Sequence, residues 1–140
     1  MGDPRGGAVD VAVAVPYSEE KDRFLVLKRA ESHDPFPERW EFSAGYMEEG
    51  EDAGKAALRE LEEETGLKGE VVRTGEPHLV DTGDRMFRVH PFLVKVDGTE
   101  VEITEEHVDY RWEDVPEIRG LDTVDGLMAD LRAVGVDVDG

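Results

Sequence analysis

Apolar and polar positions alternate in short stretches along this chain, a pattern that predicts a sheet of several short strands. Valines alternate with small or acidic residues at 9–15, and an apolar run occupies 23–29. Further strands are predicted at 40–44, 70–74, 85–96 and 107–112. Pro91 interrupts the longest of them and cannot donate a ladder hydrogen bond, so we expect that strand at a sheet edge or at a bulge.

Two segments carry apolar residues three and four positions apart, the spacing of an amphipathic helix. The first begins after Asp52, a suitable N-terminal cap, and stops at Gly66, a C-terminal cap. The second predicted helix covers 123–134. Between the second and third predicted strands, the prolines within 33–39 predict a loop. Strands mixed with two helices, without an internal repeat, predict a single α+β domain over residues 1–140.

Acidic residues dominate the charge of the chain. There are 35 Asp and Glu against 16 Lys and Arg, a net charge of −19, and few of the cations are lysine. Dispersed carboxylates keep a protein soluble where salt screens their repulsion, so we predict a halophilic source and a cytoplasmic protein; an ordinary acidic domain is the alternative. The charge also argues against binding to nucleic acid polymers or anionic membranes. It repels a nucleotide unless a cation lies between them.

The chain contains no cysteine, which excludes disulfides and thiolate metal sites. The apolar run near the N-terminus is too short for a signal peptide or a membrane span. The four histidines show no metal-ligand spacing among themselves. Five aromatic residues are candidates for stacking on a base, although core packing is the favoured alternative for each: Trp40, Phe42, Tyr46, Phe87 and Tyr110.

The densest chemistry lies in the first predicted helix, within the segment GYMEEGEDAGKAALRELEEETGL that runs from Gly45 to Leu67. Residues three and four apart share a helix face, so its glutamates at 60, 63 and 64 form one carboxylate cluster. Such a cluster repels itself unless a cation joins it, and carboxylate oxygens suit Mg²⁺ or Mn²⁺. A solvated acidic face is the alternative, since 35 of the 140 residues are acidic.

The same segment resembles the Nudix box, which requires Gly, five free positions, Glu, seven free positions, then Arg-Glu-aliphatic-free-Glu-Glu-free-Gly-aliphatic. Every required position is filled: Gly45, Glu51, Arg59, Glu60, Leu61, Glu63, Glu64, Gly66 and Leu67. The resemblance implies the Nudix fold, a mixed β-sheet sandwiched between helices (an α/β/α sandwich). Two other segments, 88–92 and 122–123, resemble archaeal Nudix domains. Where the family's box is often entered by Pro-Gly-Gly, this chain has Ser43-Ala44-Gly45.

The resemblance also implies roles for individual residues. Metal ligands are expected at the carboxylates of Glu60, Glu63 and Glu64 and at the backbone carbonyl of Ala44. Arg59 and Glu51 are expected to support the ligand-bearing helix by pairing with each other or with a ligand carboxylate.

The general base remains open at this point. It is either a box glutamate or the acid that the family carries in a variable loop, for which Glu106 is preferred over the adjacent Glu105. A merely solvated loop carboxylate is the alternative for Glu106.

The activity that the resemblance implies is Mg²⁺-dependent hydrolysis of a phosphoanhydride bond, by in-line attack of metal-activated water. The substrate would be a nucleoside diphosphate linked to another moiety; ADP-ribose, nucleoside triphosphates and dinucleoside polyphosphates all stay open. A nucleotide-sensing module that keeps the fold without turnover is the alternative. Isoprenoid diphosphate isomerases share the fold but rely on a cysteine, which is absent. The family further implies a homodimer.

Overall fold

A mixed β-sheet forms the centre of the computed structural model, which describes residues 7–33 and 36–139 of the chain. Its strands are β1 (Ala8–Ser18), β2 (Arg23–Arg29), β3 (Trp40–Glu41), β4 (Ser43–Tyr46), β5 (Gly69–Thr74), β6 (His78–Asp81), β7 (Met86–Val96) and β8 (His107–Glu113). The helices are α1 (Ala53–Thr65), α2 (Val115–Arg119) and α3 (Leu127–Ala133). No helix in this described part is long and apolar enough to cross a membrane.

Strands β1 and β7 run parallel to each other, and the remaining strand pairs are antiparallel. β1 changes partner along its length, because its middle pairs with β4 and its last residues pair with β2. On the far side of β7, β6 pairs with its first half and β5 with its second half. The change of partner on β1 brings β4, which leads to α1, onto the central strands.

Side chains of β1 alternate between two cores, as the period of a strand requires. Ala12 and Ala14 face α1, where small residues allow the helix to approach the sheet closely. Val13 and Val15 face the opposite side and pack with α3. The sheet therefore lies between helices, and the predicted α+β fold class, a mixed sheet sandwiched between helices, is confirmed.

Both predicted ends of α1 are confirmed by its caps. The side chain of Asp52 accepts a hydrogen bond from the backbone N–H of Lys55 at 3.1 Å. Gly66 has a φ of 77°, in the left-handed region that favours glycine, and its N–H donates to the carbonyl of Glu62 at 2.8 Å. The helix that carries the acidic cluster thus begins and ends at residues that the sequence identified.

Some predicted elements differ from the structure. The strand predicted at 40–44 is divided at the buried Phe42, because β3 pairs with β2 while β4 pairs with β1. β7 is not an edge strand: Pro91 lies opposite the interval between β5 and β6, so its missing N–H interrupts neither ladder. The short elements β6 and α2 were not predicted.

The helix predicted at 123–134 is shorter in the structure. It begins only after Gly126, whose φ of 89° is left-handed, while Thr123 bridges to Trp40. Two further predictions reach beyond the described residues. Part of the loop at 33–39, including Pro35, lies outside them, and so do both ends of the domain predicted over 1–140.

Candidate metal centre and substrate pocket

The loop between β4 and α1 is tied to the helix by Arg59. Its guanidinium donates two hydrogen bonds to Glu51, from Nε at 2.8 Å and from Nη2 at 2.9 Å. Nη2 also donates to the backbone carbonyl of Tyr46 at 3.3 Å. A bidentate Arg–carboxylate pair fixes both the position and the orientation of the Glu51 side chain, so the loop is held against the first two turns of α1.

Arg59 also reaches the acidic cluster. Nη1 donates to Glu60 Oε1 at 2.8 Å and lies 3.3 Å from Glu63 Oε2. The pKa of Glu51 is held down to about 2, mainly by its hydrogen bonds from Arg59 and next by the one from the backbone N–H of Glu48. The same carboxylates raise the pKa of Arg59 above its usual range. The guanidinium of Arg59 therefore contacts three of the predicted site glutamates, Glu51, Glu60 and Glu63.

Glu64 lies on the buried side of the cluster and lacks such a partner. Both of its carboxylate oxygens are buried, and neither accepts a hydrogen bond from any donor within residues 7–33 and 36–139. The pKa of Glu64 is raised to about 10. Burial is the largest cause, and the charge of Glu41, the Glu60 carboxyl group and the charge of Glu106 add smaller contributions. A buried carboxylate without a donor is strongly disfavoured unless a proton or another cation joins it.

The loop acid Glu106 is exposed, and its backbone carbonyl accepts a hydrogen bond from the N–H of Ala30 at 2.9 Å. Of the two adjacent loop acids, Glu106 is the one whose charge contributes to the raised pKa of Glu64. The backbone of Glu106 is thus joined to the end of β2, and the role of Glu106 as general base stays a prediction.

A second buried group, not found from the sequence, lies directly behind Glu64. Glu41 accepts hydrogen bonds from Arg29 Nη1 and from His107 Nε2, each at 2.8 Å. His107 Nε2 is also 3.9 Å from Glu64 Oε1. These residues come from β2, β3, β8 and α1, so no local spacing could have revealed them.

The structure brings only part of the predicted ligand set together. Glu64 has two oxygens without a hydrogen-bond donor among residues 7–33 and 36–139, whereas Glu60 and Glu63 contact Arg59. Within these residues, the group of three whose ligand atoms lie within 4.8 Å of one another is Glu41, Glu64 and His107. Carboxylate oxygens such as those of Glu64 suit hard ions such as Mg²⁺ and Mn²⁺. The acidic face is therefore not simply a solvated surface, because Glu64 is buried and its oxygens accept no hydrogen bond within residues 7–33 and 36–139.

A cavity of about 230 Å³ opens beside this cluster. Ala44, Gly45 and Glu41 line it on the side of the box, while His78 and Asp130 line another part of it. The rest of the wall is mainly apolar and includes three aromatic residues, Phe36, Tyr46 and Phe87. A cavity with apolar walls and a few polar groups is typical of a small-molecule site.

Two of the five aromatic candidates, Tyr46 and Phe87, line this cavity. Trp40 and Phe42 are buried in the core, as their alternative predicted, and Tyr110 is partly exposed on β8. Phe36 was not a candidate, because nothing in its local sequence separates it from an ordinary loop residue.

His78 and Asp130 form a pair across the cavity wall, with 2.6 Å between His78 Nε2 and Asp130 Oδ1. Burial raises the pKa of Asp130, and the hydrogen bond with His78 opposes that rise. The pair joins β6 to α3, and β6 was not predicted from the sequence. It places hydrogen-bonding groups next to apolar walls, an arrangement that can orient a flat polar ring.

The chain matches the family model of the NUDIX domain over residues 8–131. It is 35% identical over 108 residues to an RNA pyrophosphohydrolase of Sphingopyxis alaskensis, a match that covers 63% of this chain and 68% of that protein. It is 47% identical over 58 residues to an ADP-sugar pyrophosphatase of Mus musculus, covering 41% of this chain and 27% of that protein. The chain thus spans little more than a quarter of the length of the second relative.

Among solved structures, the fold is similar to that of a MutT protein from Methanosarcina mazei Go1. The TM-score is 0.75 at 21% sequence identity, and the match covers 88% of this chain and 88% of that chain. A likeness at this level of identity establishes the fold, while the chemistry has to be argued from the residues themselves.

Proposed function

Since this chain belongs to the Nudix family of hydrolases, we propose that it cleaves a phosphoanhydride bond in a nucleoside diphosphate linked to another moiety. The substrate classes considered are ADP-ribose, nucleoside triphosphates and dinucleoside polyphosphates. The observation that carries the proposal is the buried carboxyl group of Glu64, which has no hydrogen-bond donor among residues 7–33 and 36–139 and whose neighbour Glu41 lines the cavity. The names of the relatives differ in substrate, so they support the reaction class more than a particular nucleotide.

We assign the binding of a divalent cation, Mg²⁺ or alternatively Mn²⁺, to Glu60, Glu63, Glu64 and the backbone carbonyl of Ala44. When bound, such a cation neutralises phosphate oxygens and makes water a stronger nucleophile at neutral pH. In a chain of net charge −19, it also removes the repulsion that a polyphosphate would meet.

The remaining residues act by orientation and proton transfer. Arg59 and Glu51 hold the box loop against α1, so that the ligand carboxylates keep one arrangement. We assign the removal of a proton from the attacking water to Glu106, with a box glutamate as the alternative. Support for Glu106 comes from its position next to His107, whose Nε2 lies 3.9 Å from Glu64 Oε1, and from its exposure to solvent, which allows the proton to leave.

Comparing Glu63→Gln with Glu62→Gln tests the proposal. Both glutamates lie on α1 and are exposed, but Glu62 faces Lys68 at 3.9 Å while Glu63 faces Arg59 and the cluster. Purified protein in molar KCl with Mg²⁺ is incubated with the three substrate classes, and products are separated by chromatography. We expect cleavage by the wild type and by Glu62→Gln, and a loss of about 10- to 100-fold or more in Glu63→Gln.

Two results would reject hydrolysis by this site. One is the absence of cleavage of every substrate above background, which together with tight nucleotide binding would favour the sensing module. The other is full activity of Glu63→Gln, which would remove the acidic face of α1 from the reaction.

We also propose that the protein is a single domain over residues 1–140 and works in the cytoplasm of a halophilic archaeon. The charge of −19 supports a salt-rich environment, because dispersed carboxylates repel each other less when they are screened.

A further inference from the structure

We propose that Glu41 and His107 are positioning residues that hold the carboxylates of Glu64 and Glu106 in place for a divalent cation. The inference rests on the function proposed above. Neither residue belongs to the box; they come from β3 and β8, and both are buried.

The positioning begins with a buried chain of hydrogen bonds. Arg29 Nη1 donates to Glu41 Oε1 at 2.8 Å, and His107 Nε2 donates to Glu41 Oε2 at 2.8 Å. The ring nitrogen of His107 that faces Glu41 lies 3.9 Å from Glu64 Oε1. Because Nε2 lies 2.8 Å from the Glu41 carboxylate, which accepts hydrogen bonds, this nitrogen carries the proton, and its N–H dipole lies close to Glu64 Oε1.

The same histidine fixes the loop that carries Glu106. His107 follows Glu106 directly and pairs with Arg29 in the ladder between β2 and β8. The backbone carbonyl of Glu106 accepts from Ala30 N–H, the residue after Arg29. The hydrogen bond between the imidazole and Glu41 therefore fixes where the chain enters β8 and where the Glu106 side chain starts.

Glu41, Glu64 and His107 have donor atoms within 4.8 Å of one another, which is close enough to consider them as ligands of a cation themselves. The contacts argue against that role for two of them. Both oxygens of Glu41 already accept hydrogen bonds, and one comes from the permanent cation Arg29. A metal ion at this point would displace those bonds and lie beside the guanidinium, whereas Glu64 has two free oxygens.

Glu41 also lines the substrate cavity together with Arg29. The positioning chain therefore runs from the cavity wall to the candidate metal ligand, and a substitution within it should alter both cation binding and turnover. Residues that orient ligands in this way typically contribute a factor of about 10 to 100 in metal affinity or activity.

The experiment compares His107→Phe, His107→Gln and Glu41→Gln with the wild type. Phe keeps a ring in the buried space but removes the donor, while Gln retains an N–H near the position of Nε2. Both neighbours of Glu41 are donors, so a glutamine there can satisfy only one of them. His90→Phe is the matched control, since His90 pairs with the Asp10 carboxylate at 2.9 Å away from the cluster.

Mn²⁺ binding is measured by electron paramagnetic resonance without nucleotide, and kcat and KM are measured separately with the best substrate. We expect His107→Phe and Glu41→Gln to weaken Mn²⁺ binding by about 10- to 100-fold and to lower kcat more than they raise KM. His107→Gln should recover part of both losses, and His90→Phe should match the wild type. If His107→Phe does not fold, Glu41→Gln carries the test with His107→Gln.

Three results would overturn the proposal. Mn²⁺ affinity and kcat within twofold of the wild type in the folded variants would exclude a positioning role. Loss of one bound Mn²⁺ from a stoichiometry of two would instead make Glu41 and His107 ligands of a second cation. A drop in thermal stability without any change in Mn²⁺ affinity would make the pair purely structural. Because the binding assay contains no nucleotide, the Mn²⁺ affinities and stoichiometry are independent of whether the wild type hydrolyses the tested substrates.

Discussion

The carboxyl group of Glu60 occupies the space in which a side chain at Gly45 would lie. A Cβ built on Gly45 would be 2.1 Å from Glu60 Cδ and 2.5 Å from both Cγ and Oε1. The first glycine of the box is thus required by a close approach of the helix carboxylate to β4. It is the position of the Glu60 side chain relative to Gly45, and not a left-handed backbone, that disfavours other residues here.

Gly45→Ala should therefore impair the candidate metal site more than the fold. The obstructing atoms belong to the end of a flexible side chain, so Glu60 can turn away while α1 stays in place. We expect Mn²⁺ affinity and kcat to fall by about 10- to 100-fold, with a shift of only a few degrees in Tm. Gly98→Ala is the control, since nothing lies within 4 Å of its added Cβ. Equal Mn²⁺ affinity in both variants would contradict the close-approach explanation.

Glu64 should make the stability of the metal-free protein fall as the pH rises, and a bound cation should oppose that fall. Its pKa is raised from 4.5 to about 10 in the folded protein, so the folded state keeps a proton that the unfolded state releases. The resulting stability is fully present below about pH 4.5 and declines as the pH rises toward 10. A cation needs the ionised carboxylate, so its stabilising effect should grow over the same range.

Thermal unfolding with and without MgCl₂, from about pH 6 to about pH 9, measures this effect. We expect the increase in Tm caused by Mg²⁺ to be larger at the higher pH. Glu64→Gln cannot ionise, so its metal-free Tm should depend less on pH and the Mg²⁺ effect should largely disappear. An Mg²⁺ effect in the wild type that is the same at both ends of the range would refute the assignment of Glu64.

The Arg59–Glu51 pair should act in the opposite direction, at acid pH. The pKa of Glu51 is lowered from 4.5 to about 2, so its contribution to stability is present above about pH 4.5 and is lost as the pH falls through 2. Glu51→Gln should therefore be less stable than the wild type at neutral pH, and the two should converge on acidification. Urea unfolding at a series of pH values would show this, and a difference that widens at low pH would be the contrary result.

The sequence predicted those parts of the molecule that depend on local spacing. The caps of α1 at Asp52 and Gly66 and the shared face of Glu60, Glu63 and Glu64 follow from helix geometry within a few turns. The Glu41–His107 contact joins residues 66 positions apart, and its existence depends on how β3 and β8 pair with β2. Periodicity contains no information on such pairings.

Two predictions depend on tertiary partners that the sequence does not show. Pro91 predicts an edge or a bulge; β7 is not an edge strand, because two separate short strands cover that side of it and leave a gap opposite the proline, and its ladder with β5 has a register shift between Val71 and Arg73. The helical spacing of apolar residues that includes Val124 predicts a last helix from Thr123. In the structure, however, the N–H of Val124 donates to the carbonyl of Trp40, and α3 begins only at Leu127. In both cases a tertiary partner decided the local structure.

The His78–Asp130 pair leads to a prediction on base selection. The Asp130 side chain, hydrogen-bonded to His78, offers oxygen atoms to the cavity, whereas an asparagine of the same shape replaces one of them by an NH₂ donor. Asp130→Asn should therefore reduce the preference for AMP over IMP, which differ in an amino and a carbonyl group at one ring position. Calorimetric titration of both nucleotides in the presence of Mg²⁺ measures the ratio, and we expect a change of about two- to tenfold, ~0.5–1.5 kcal/mol. Asp139→Asn, outside the cavity, should leave the ratio unchanged; an unchanged ratio in Asp130→Asn would remove the pair from base recognition.

The net charge of −19 predicts that salt stabilises this protein. The Debye length falls from about 10 Å at 0.1 M salt to about 3 Å at 1 M, so repulsion among exposed carboxylates is screened over most of their separations. Tm should therefore rise from 0.1 M to molar KCl. Replacing the exposed acids Asp97, Glu100 and Glu102 by their amides removes three negative charges away from the site, and the rise in Tm should become smaller because less repulsion remains to be screened. A wild-type Tm that is equal at low and molar KCl would contradict the halophilic assignment. A rise that the triple substitution does not reduce would instead attribute the effect of salt to stronger burial of apolar groups.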